Sequence, residues 1–258
     1  MLFTDAVFVG IDPTAGKQPI QYAALDRDLH VIALDQGDLE SVLAFVASLE
    51  SVVVAVDAPQ GPSRGLMAKG DIRRRYNLRP EGKTWAKWRV CEYELRRRNI
   101  RLYNTPEKEE DAKAWVQTGF EIFRRLEKIG IRKDILDEKS DRRAIIEARA
   151  HSGFAILLER RPFLKRTLEG RLQRQLVLYL EGLDIANPMY ALEEITRHNL
   201  LSGHMPLERL YSYEALDAMM AAYTAYLAGL HAERVSQVGD REEGLITLPA
   251  SELKDFYQ

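Results

Sequence analysis

The sequence predicts an α/β fold built on a mixed sheet, and three features carry that prediction. The runs at 7–11 and 52–56 are apolar almost without interruption and each closes on one aspartate, Asp12 and Asp57. Continuous runs of this kind read as strands buried on both faces. Between them lies a segment, Leu39, Val42, Leu43, Phe45, Val46 and Leu49, whose apolar residues recur at helical spacing. A strand, a helix and a second apolar strand make a crossover unit, so the strand at 52–56 is expected to run parallel to the one at 7–11.

In chain order, the first strand is followed by the polar turn Pro13-Thr-Ala-Gly-Lys17, a strand at 20–25 and a strand at 30–34. Tight polar turns between three short strands predict an antiparallel meander. Gly37 or Asp38 is placed to cap the helix at 39–49. Parallel pairing of the first and fourth strands puts Asp12 and Asp57 side by side at one edge of the sheet. From 69 to 101 the composition turns basic, with Arg73-Arg74-Arg75 and Arg96-Arg97-Arg98 interleaved with Tyr76, Trp85, Trp88 and Tyr93. Gly70, Pro80 and Gly82 mark the first half as loop, and 88–98 has helical spacing with a basic face. One long amphipathic helix is expected at 107–129, with Trp115, Phe120, Phe123 and Leu126 on its apolar side. A polar linker at 134–141 leads to a short strand at 143–148 that carries Glu147 near its end. Helices follow at 152–159, 168–183, 187–201 (Pro188 in its first turn) and 213–230, and the tail holds one or two strands at 234–237 and 245–248.

The 258 residues, 46% hydrophobic with a formal net charge of −2, suit a single packed domain, 1–258, with an insertion at about 60–140. A net charge so near zero leaves electrostatics to local patches. The single cysteine, Cys91, excludes an internal disulfide and fits a reducing compartment. No apolar run approaches the roughly 20 residues of a membrane helix, and the first residues lack a secretory pattern, so no membrane partner and a cytoplasmic location are expected.

Four acids occupy comparable places: Asp12, Asp57 and Glu147 at strand ends and Asp217 on the late helix, three residues after Glu214. Carboxylates converging from different elements suit Mg²⁺ or Mn²⁺, which take hard oxygen ligands and recruit substrate phosphates. Two such ions about 3.5–4 Å apart serve phosphodiester cleavage. Each acid also has a plainer reading: Glu147 beside Arg149 as an ion pair, Asp217 on a solvated helix face, and an aspartate after a strand as a first turn residue. No histidine or cysteine spacing fits zinc. Lys17 follows a glycine, but no GK[ST] is present and the phosphate-loop pattern fails. The basic aromatic stretch can bind a phosphate backbone and stack bases, or can be a solvated face with tryptophans in a local core.

The two strand-plus-acid pairs, Arg89–Ile100 leading to Tyr103-Asn104-Thr105-Pro106, Ile146–Phe154, and the helix Tyr213–Leu227 with its Leu216-Asp217-Ala218 resemble domain-of-unknown-function family 429. That family is grouped with predicted nucleases of the RNase H-like fold, and the resemblance covers nearly the whole chain. It implies an RNase H-like mixed five-stranded sheet flanked by helices, with a helical basic insertion between strands 4 and 5. It also implies that Asp12, Asp57, Glu147 and Asp217 are the metal-binding, catalytic acids. The chain departs from the family pattern at Arg149-Ala150-His151, where His-Pro-Glu is usual, and at Tyr213-Glu214, where a double acid is usual.

These readings converge on a Mg²⁺- or Mn²⁺-dependent nuclease with a two-ion carboxylate site, in which Lys17, Arg89 and Arg96 contact phosphates. A non-catalytic nucleic-acid-binding or assembly module of the same fold is the alternative. A sugar-kinase or actin-like phosphotransferase fits less well, because Asp57 is followed by Ala-Pro-Gln-Gly-Pro and no late Gly pair exists.

Overall fold

A computed structural model describes residues 6–14, 18–79, 84–133, 143–205 and 207–258. The strands β1 (Val7–Asp12), β2 (Ile20–Leu25) and β3 (Val31–Gly37) form the expected antiparallel meander. Helix α1 (Leu39–Ala47) begins on Asp38, whose carboxylate accepts from the Ser41 amide at 2.8 Å and satisfies one of the first-turn donors. It carries the chain over to β4 (Val52–Val56), which pairs parallel with β1. Then come α2 (Gly70–Arg75), α3 (Val90–Arg97), α4 (Ala114–Lys128), β5 (Arg132–Lys133) and β6 (Arg143–Glu147). The second half holds α5 (Ala150–Leu157), α6 (Leu168–Leu180), α7 (Met189–Glu194), α8 (Arg197–Leu201), α9 (Tyr213–Leu230), β7 (Ser236–Asp240) and β8 (Gly244–Leu248).

The strands form one mixed sheet in the order β3-β2-β1-β4-β6-β8-β7, with β5 alongside β6. That is eight strands where five were expected. The tail supplies β7 and β8, and β8 joins β6 through the pair Glu147 and Ile246, so the edge that a five-stranded sheet would leave open is covered. The insertion's α3 packs against β7, where Cys91 lies against Gly239.

Each face of the sheet has its own helical layer. Val9, Ile11, Val54, Val56 and Ile145 pack with Val42 and Val46 of α1 and Ile122, Phe123 and Leu126 of α4. Phe8, Ala55, Ala144, Ile146 and Ala148 pack with α9, which α5 and α6 cover in turn. Buried between sheet and helices, α9 is apolar nearly all round, as a fully enclosed helix should be. Its approach to β1 is backbone to backbone. A Cβ on Gly10 would sit 2.0 Å from the Ala218 carbonyl and 2.2 Å from the Ala222 amide. Glycine at position 10 is thus a condition for α9 lying where it does.

Several expected boundaries move. The third strand runs on to Gly37, since it stays paired with Ile20. The helix expected at 107–129 begins at Ala114; residues Glu109–Asp111 form a separate 3-10 turn. The helix expected at 152–159 starts two residues earlier, at Ala150. The segment 187–201 breaks into α7 and α8 at Ile195, which is extended, and Thr196 caps the second piece through the Asn199 amide. The tail strand begins at Ser236 rather than 234, because Ala232–Arg234 form a 3-10 turn. Lys17, Pro80, Gly82 and the linker at 134–141 lie outside the described residues.

A carboxylate cluster at the sheet edge

The parallel register brings Asp12 and Asp57 together as predicted. The Asp57 amide donates to the Ile11 carbonyl at 2.8 Å, extending the β1–β4 ladder by one bond. In a strand side chains alternate between faces, so Asp12 lies on the side of Phe8 and Gly10, and Asp57 on the side of Ala55. That is the α9 side, and Asp217 projects from α9 near its N-terminus. Three aspartates from three elements therefore meet at the C-terminal edge of β1 and β4.

The backbone beside Asp12 is strained. Its Oδ1 accepts from the Thr14 amide at 2.9 Å, and Thr14 has φ +56°, a left-handed conformation that a β-branched residue seldom adopts. The Thr14 hydroxyl holds it there through the Gln18 and Pro19 carbonyls at 3.0 and 3.1 Å. Asp57 Oδ1 accepts from the Ala150 amide at 3.2 Å, at the first turn of α5, where a helix favours negative charge.

Crowded acids in a recess resist ionisation. Burial, then the charge of Asp217, pushes the Asp12 pKa up to about 7. Burial, then Asp12 and Asp217, raises Asp57 well above the ordinary carboxylate range. Among the described residues two cations answer them: Lys165 Nζ lies 2.6 Å from Asp217 Oδ2, and the charge of Arg149 favours ionised Asp57. Burial works against the Lys165 ammonium, but Asp217, Asp57 and Asp12 outweigh it and hold its pKa above the ordinary value. Partial burial, then the charges of Arg174, Lys165, Arg161 and Arg101, push the His151 pKa down to about 4, so it is neutral at neutral pH.

Glu147 does not join this group. It shares its face with Ile145, on the α1–α4 side, and the residue of this strand segment that faces α9 is Ala148. Its carboxylate is fully engaged: Arg89 donates from Nη2 to Oε1 at 2.5 Å and from Nη1 to Oε2 at 2.9 Å, and the Gln60 amide donates to Oε2 at 2.9 Å. Arg149 Nη2 is 3.3 Å from Oε1. Arg89, expected to contact phosphate, is 0% exposed; its Nε also binds Glu92 Oε1 at 2.9 Å. Glu92 takes the Thr105 amide at 3.0 Å and the Thr105 hydroxyl. Glu243 accepts from Ser63 Oγ, the Arg64 amide and the Val90 amide at 3.0, 2.7 and 2.9 Å. This saturated network fastens the insertion to the sheet.

Of the expected phosphate contacts, Arg96 is half-buried with its guanidinium 5.9 Å from the Trp88 ring centre. Trp85, Trp88 and Tyr93 pack on one another, with Trp85 5.5 and 5.0 Å from the other two rings, over a small core of Leu66, Met67, Ile72, Leu78 and Val90. The basic aromatic stretch is thus largely a local core with a charged surface. Sequence reasoning missed Lys165; it paired Arg149 with Glu147, as found, but did not set that arginine against Asp57. Arg149 stands 5.6 Å from the Trp115 ring, and its Nε and Nη1 are buried without hydrogen-bond partners.

The donor chemistry at Asp12, Asp57 and Asp217 fits a hard divalent cation, because three carboxylates, two of them with raised pKa values, share one recess. They are not a closed cage: they do not bring three carboxylate oxygens within 4.8 Å of one another. Among the described residues, Asp26, Asp28 and His30 do bring three donor atoms that close and could hold a metal ion. They lie in the β2–β3 turn, at the other end of the sheet from Asp12, since Leu25 pairs with Phe8 and Gln21 with Asp12. Asp26 already accepts from the Asp28 and His30 amides at 2.9 Å each.

The chain belongs to the family described as "Protein of unknown function (DUF429)", whose model matches residues 10–243. No curated protein and no solved structure matches it.

Proposed function

We propose that this DUF429 chain is a divalent-metal-dependent nuclease, hydrolysing phosphodiester bonds of nucleic acid at Asp12, Asp57 and Asp217. The observation that carries the reading is the meeting of three aspartates from β1, the end of β4 and α9 in a recess where burial and mutual repulsion raise the pKa values of Asp12 and Asp57. Such a cluster stores a demand for positive charge that, among the described residues, Lys165 and Arg149 meet only in part. We further read the fold as RNase H-like. Supporting this, β3, β2 and β1 run antiparallel and β1, β4 and β6 run parallel in adjacent order, with the acids at the shared strand end.

Asp12 and Asp57, neighbours on one face, would hold Mg²⁺ or Mn²⁺, with Asp217 closing the third side. When bound, such an ion polarises a phosphoryl oxygen and lowers the pKa of a water. An open arrangement suits an ion that keeps several waters and takes substrate phosphate as a ligand. The chain's own groups do the rest. The Ala150 amide orients the Asp57 carboxylate, and the Thr14 amide orients that of Asp12. Lys165, its side chain 43% exposed, stands where it can pass from Asp217 to a phosphate. Glu147 has no oxygen to spare and serves the structure.

Calorimetric titration of Mn²⁺ and Mg²⁺ into wild type and Asp57→Asn, followed by cleavage assays on DNA, RNA and hybrid substrates, tests this. The expected result is Mn²⁺ binding lost in Asp57→Asn and cleavage lost with it. Cleavage undiminished in Asp57→Asn overturns the assignment.

A further inference from the structure

The coil between α5 and α6 runs Arg160-Arg161-Pro162-Phe163-Leu164-Lys165-Arg166, with four cations and no acid. Its backbone is fixed. The Arg161 amide donates to the Gln258 carbonyl at 2.6 Å, the Phe163 amide to Gln173 Oε1 at 2.8 Å, and Arg174 Nη1 to the Phe163 carbonyl at 2.9 Å. The Thr167 amide donates to the Leu164 carbonyl at 3.1 Å. The coil also lies so close on α6 that a Cβ at Gly170 would meet the Leu164 carbonyl at 1.9 Å. A segment held this firmly nonetheless leaves Phe163 56% and Leu164 71% exposed, between exposed Arg160, Arg161 and Arg166. Among the described residues no carboxylate pairs with those three arginines. At its end the coil reaches the aspartates through Lys165. There the Tyr213 ring has Lys165 Nζ 4.9 Å and Arg166 Cζ 5.5 Å from its centre.

We infer that residues 160–166, with Tyr213, form a platform for single-stranded nucleic acid that delivers one phosphate to Lys165 and the aspartate recess. The inference rests on the nuclease reading and narrows its substrate class. Unpaired cations beside an exposed aromatic match a strand that presents phosphates and free base faces together. A duplex has its bases already stacked, so Phe163 gains nothing from it. A protein partner for Phe163 and Leu164 would need acids opposite Arg160, Arg161 and Arg166; a polyanion supplies them in every residue.

The test is fluorescence anisotropy with a labelled 20-nucleotide single strand and the matching duplex, as DNA and as RNA, in EDTA so that nothing is cleaved. Wild type is expected to bind the single strand more tightly than the duplex. Phe163→Ala, a change at an exposed site, weakens single-strand binding about tenfold without altering its salt dependence. Arg160→Gln with Arg161→Gln lowers the slope of log affinity against log salt by about 1.4. Equal binding of duplex and single strand, or unchanged binding by Phe163→Ala, overturns the inference. So does a Phe163→Ala protein whose only change is its elution volume, which would mark the patch as a contact between copies of this chain. The two readings fail separately. Binding as expected with cleavage indifferent to Asp57 removes the nuclease and leaves the platform, whereas Asp57-dependent cleavage with Phe163→Ala silent does the reverse.

Discussion

Replacing Glu147 with Gln separates a structural from a metal-binding role for that carboxylate. Its oxygens accept two Arg89 nitrogens and the Gln60 amide at 2.5–2.9 Å, and the Glu147 and Arg89 side chains are both 0% exposed. Glutamine keeps the volume but withdraws the charge and turns an NH₂ group toward the guanidinium fork. Removing one partner of a buried pair costs about 3–5 kcal/mol, because the other charge is left without compensation. Glu92 still holds Arg89 Nε at 2.9 Å, so the lower end, about 3 kcal/mol, is expected. At roughly 2–4 °C per kcal/mol for a domain of this size, Tm falls by about 6–12 °C. Arg89→Met leaves two buried acids short of their cation and falls further, and the double change Arg89→Met with Glu147→Met recovers part of the loss. Differential scanning calorimetry reads the stability, and Mn²⁺ titration well below the melting point reads the site, where wild-type affinity is expected. A Glu147→Gln protein that melts like wild type yet no longer binds Mn²⁺ would refute the placement of Glu147 in the Arg89 network.

Two further outcomes follow from the geometry. In metal-free protein, Asp12 holds its proton up to about pH 7, whereas an unfolded aspartate loses it near 3.8. Between those values the folded state binds more protons, so this group's stabilisation is complete below pH 3.8 and is lost as pH rises through 7. His151, lowered to about 4, acts in the opposite direction but only below its unfolded value near 6.5. Asp12→Asn should therefore gain Tm relative to wild type as pH rises from about 4 to 7, with the gain levelling off above 7; a constant difference between pH 4 and 7 contradicts the raised pKa. Gly10→Ala drives a methyl into the Ala218 carbonyl at 2.0 Å. It should cost about 1–3 kcal/mol by overpacking and, by shifting α9 and Asp217, weaken Mn²⁺ binding; a variant that binds Mn²⁺ as wild type does would show that Asp217 is not positioned by this contact.

The part of the site that could be read from sequence is the part where a strand declares its own end. β1 and β4 are apolar on both faces and stop at one acid each, and a helical crossover fixes them parallel, so Asp12 and Asp57 had to be neighbours. Asp217 was legible from its place near the start of the late helix, and the resemblance of that helix agreed. The close approach that makes it a neighbour of Asp12 rests on Gly10 and the small residues Ala218 and Ala222. Glu147 was grouped with them because it too ends a strand, and there the pattern is silent. A strand buried on both faces shows no period-two alternation, so Ala144-Ile145-Ile146 gives no hint of which residues face α9. Only the register, Ile11 opposite Val56 and Val56 opposite Glu147, puts Glu147 on the Ile11 side and leaves Ala148 beside Asp57. A displacement by one residue sets Glu147 against a buried arginine rather than among the three aspartates, and with that its chemistry changes. Lys165 lay beyond reach for a different reason. Its place is set by a coil that owes its path to Gly170, Gln173 and Arg174 of the following helix, contacts that no spacing in the run Arg160 to Arg166 announces. The recess is thus assembled from two kinds of information. Strand ends supply the acids, and tertiary packing decides which acids face one another and which cation stands over them.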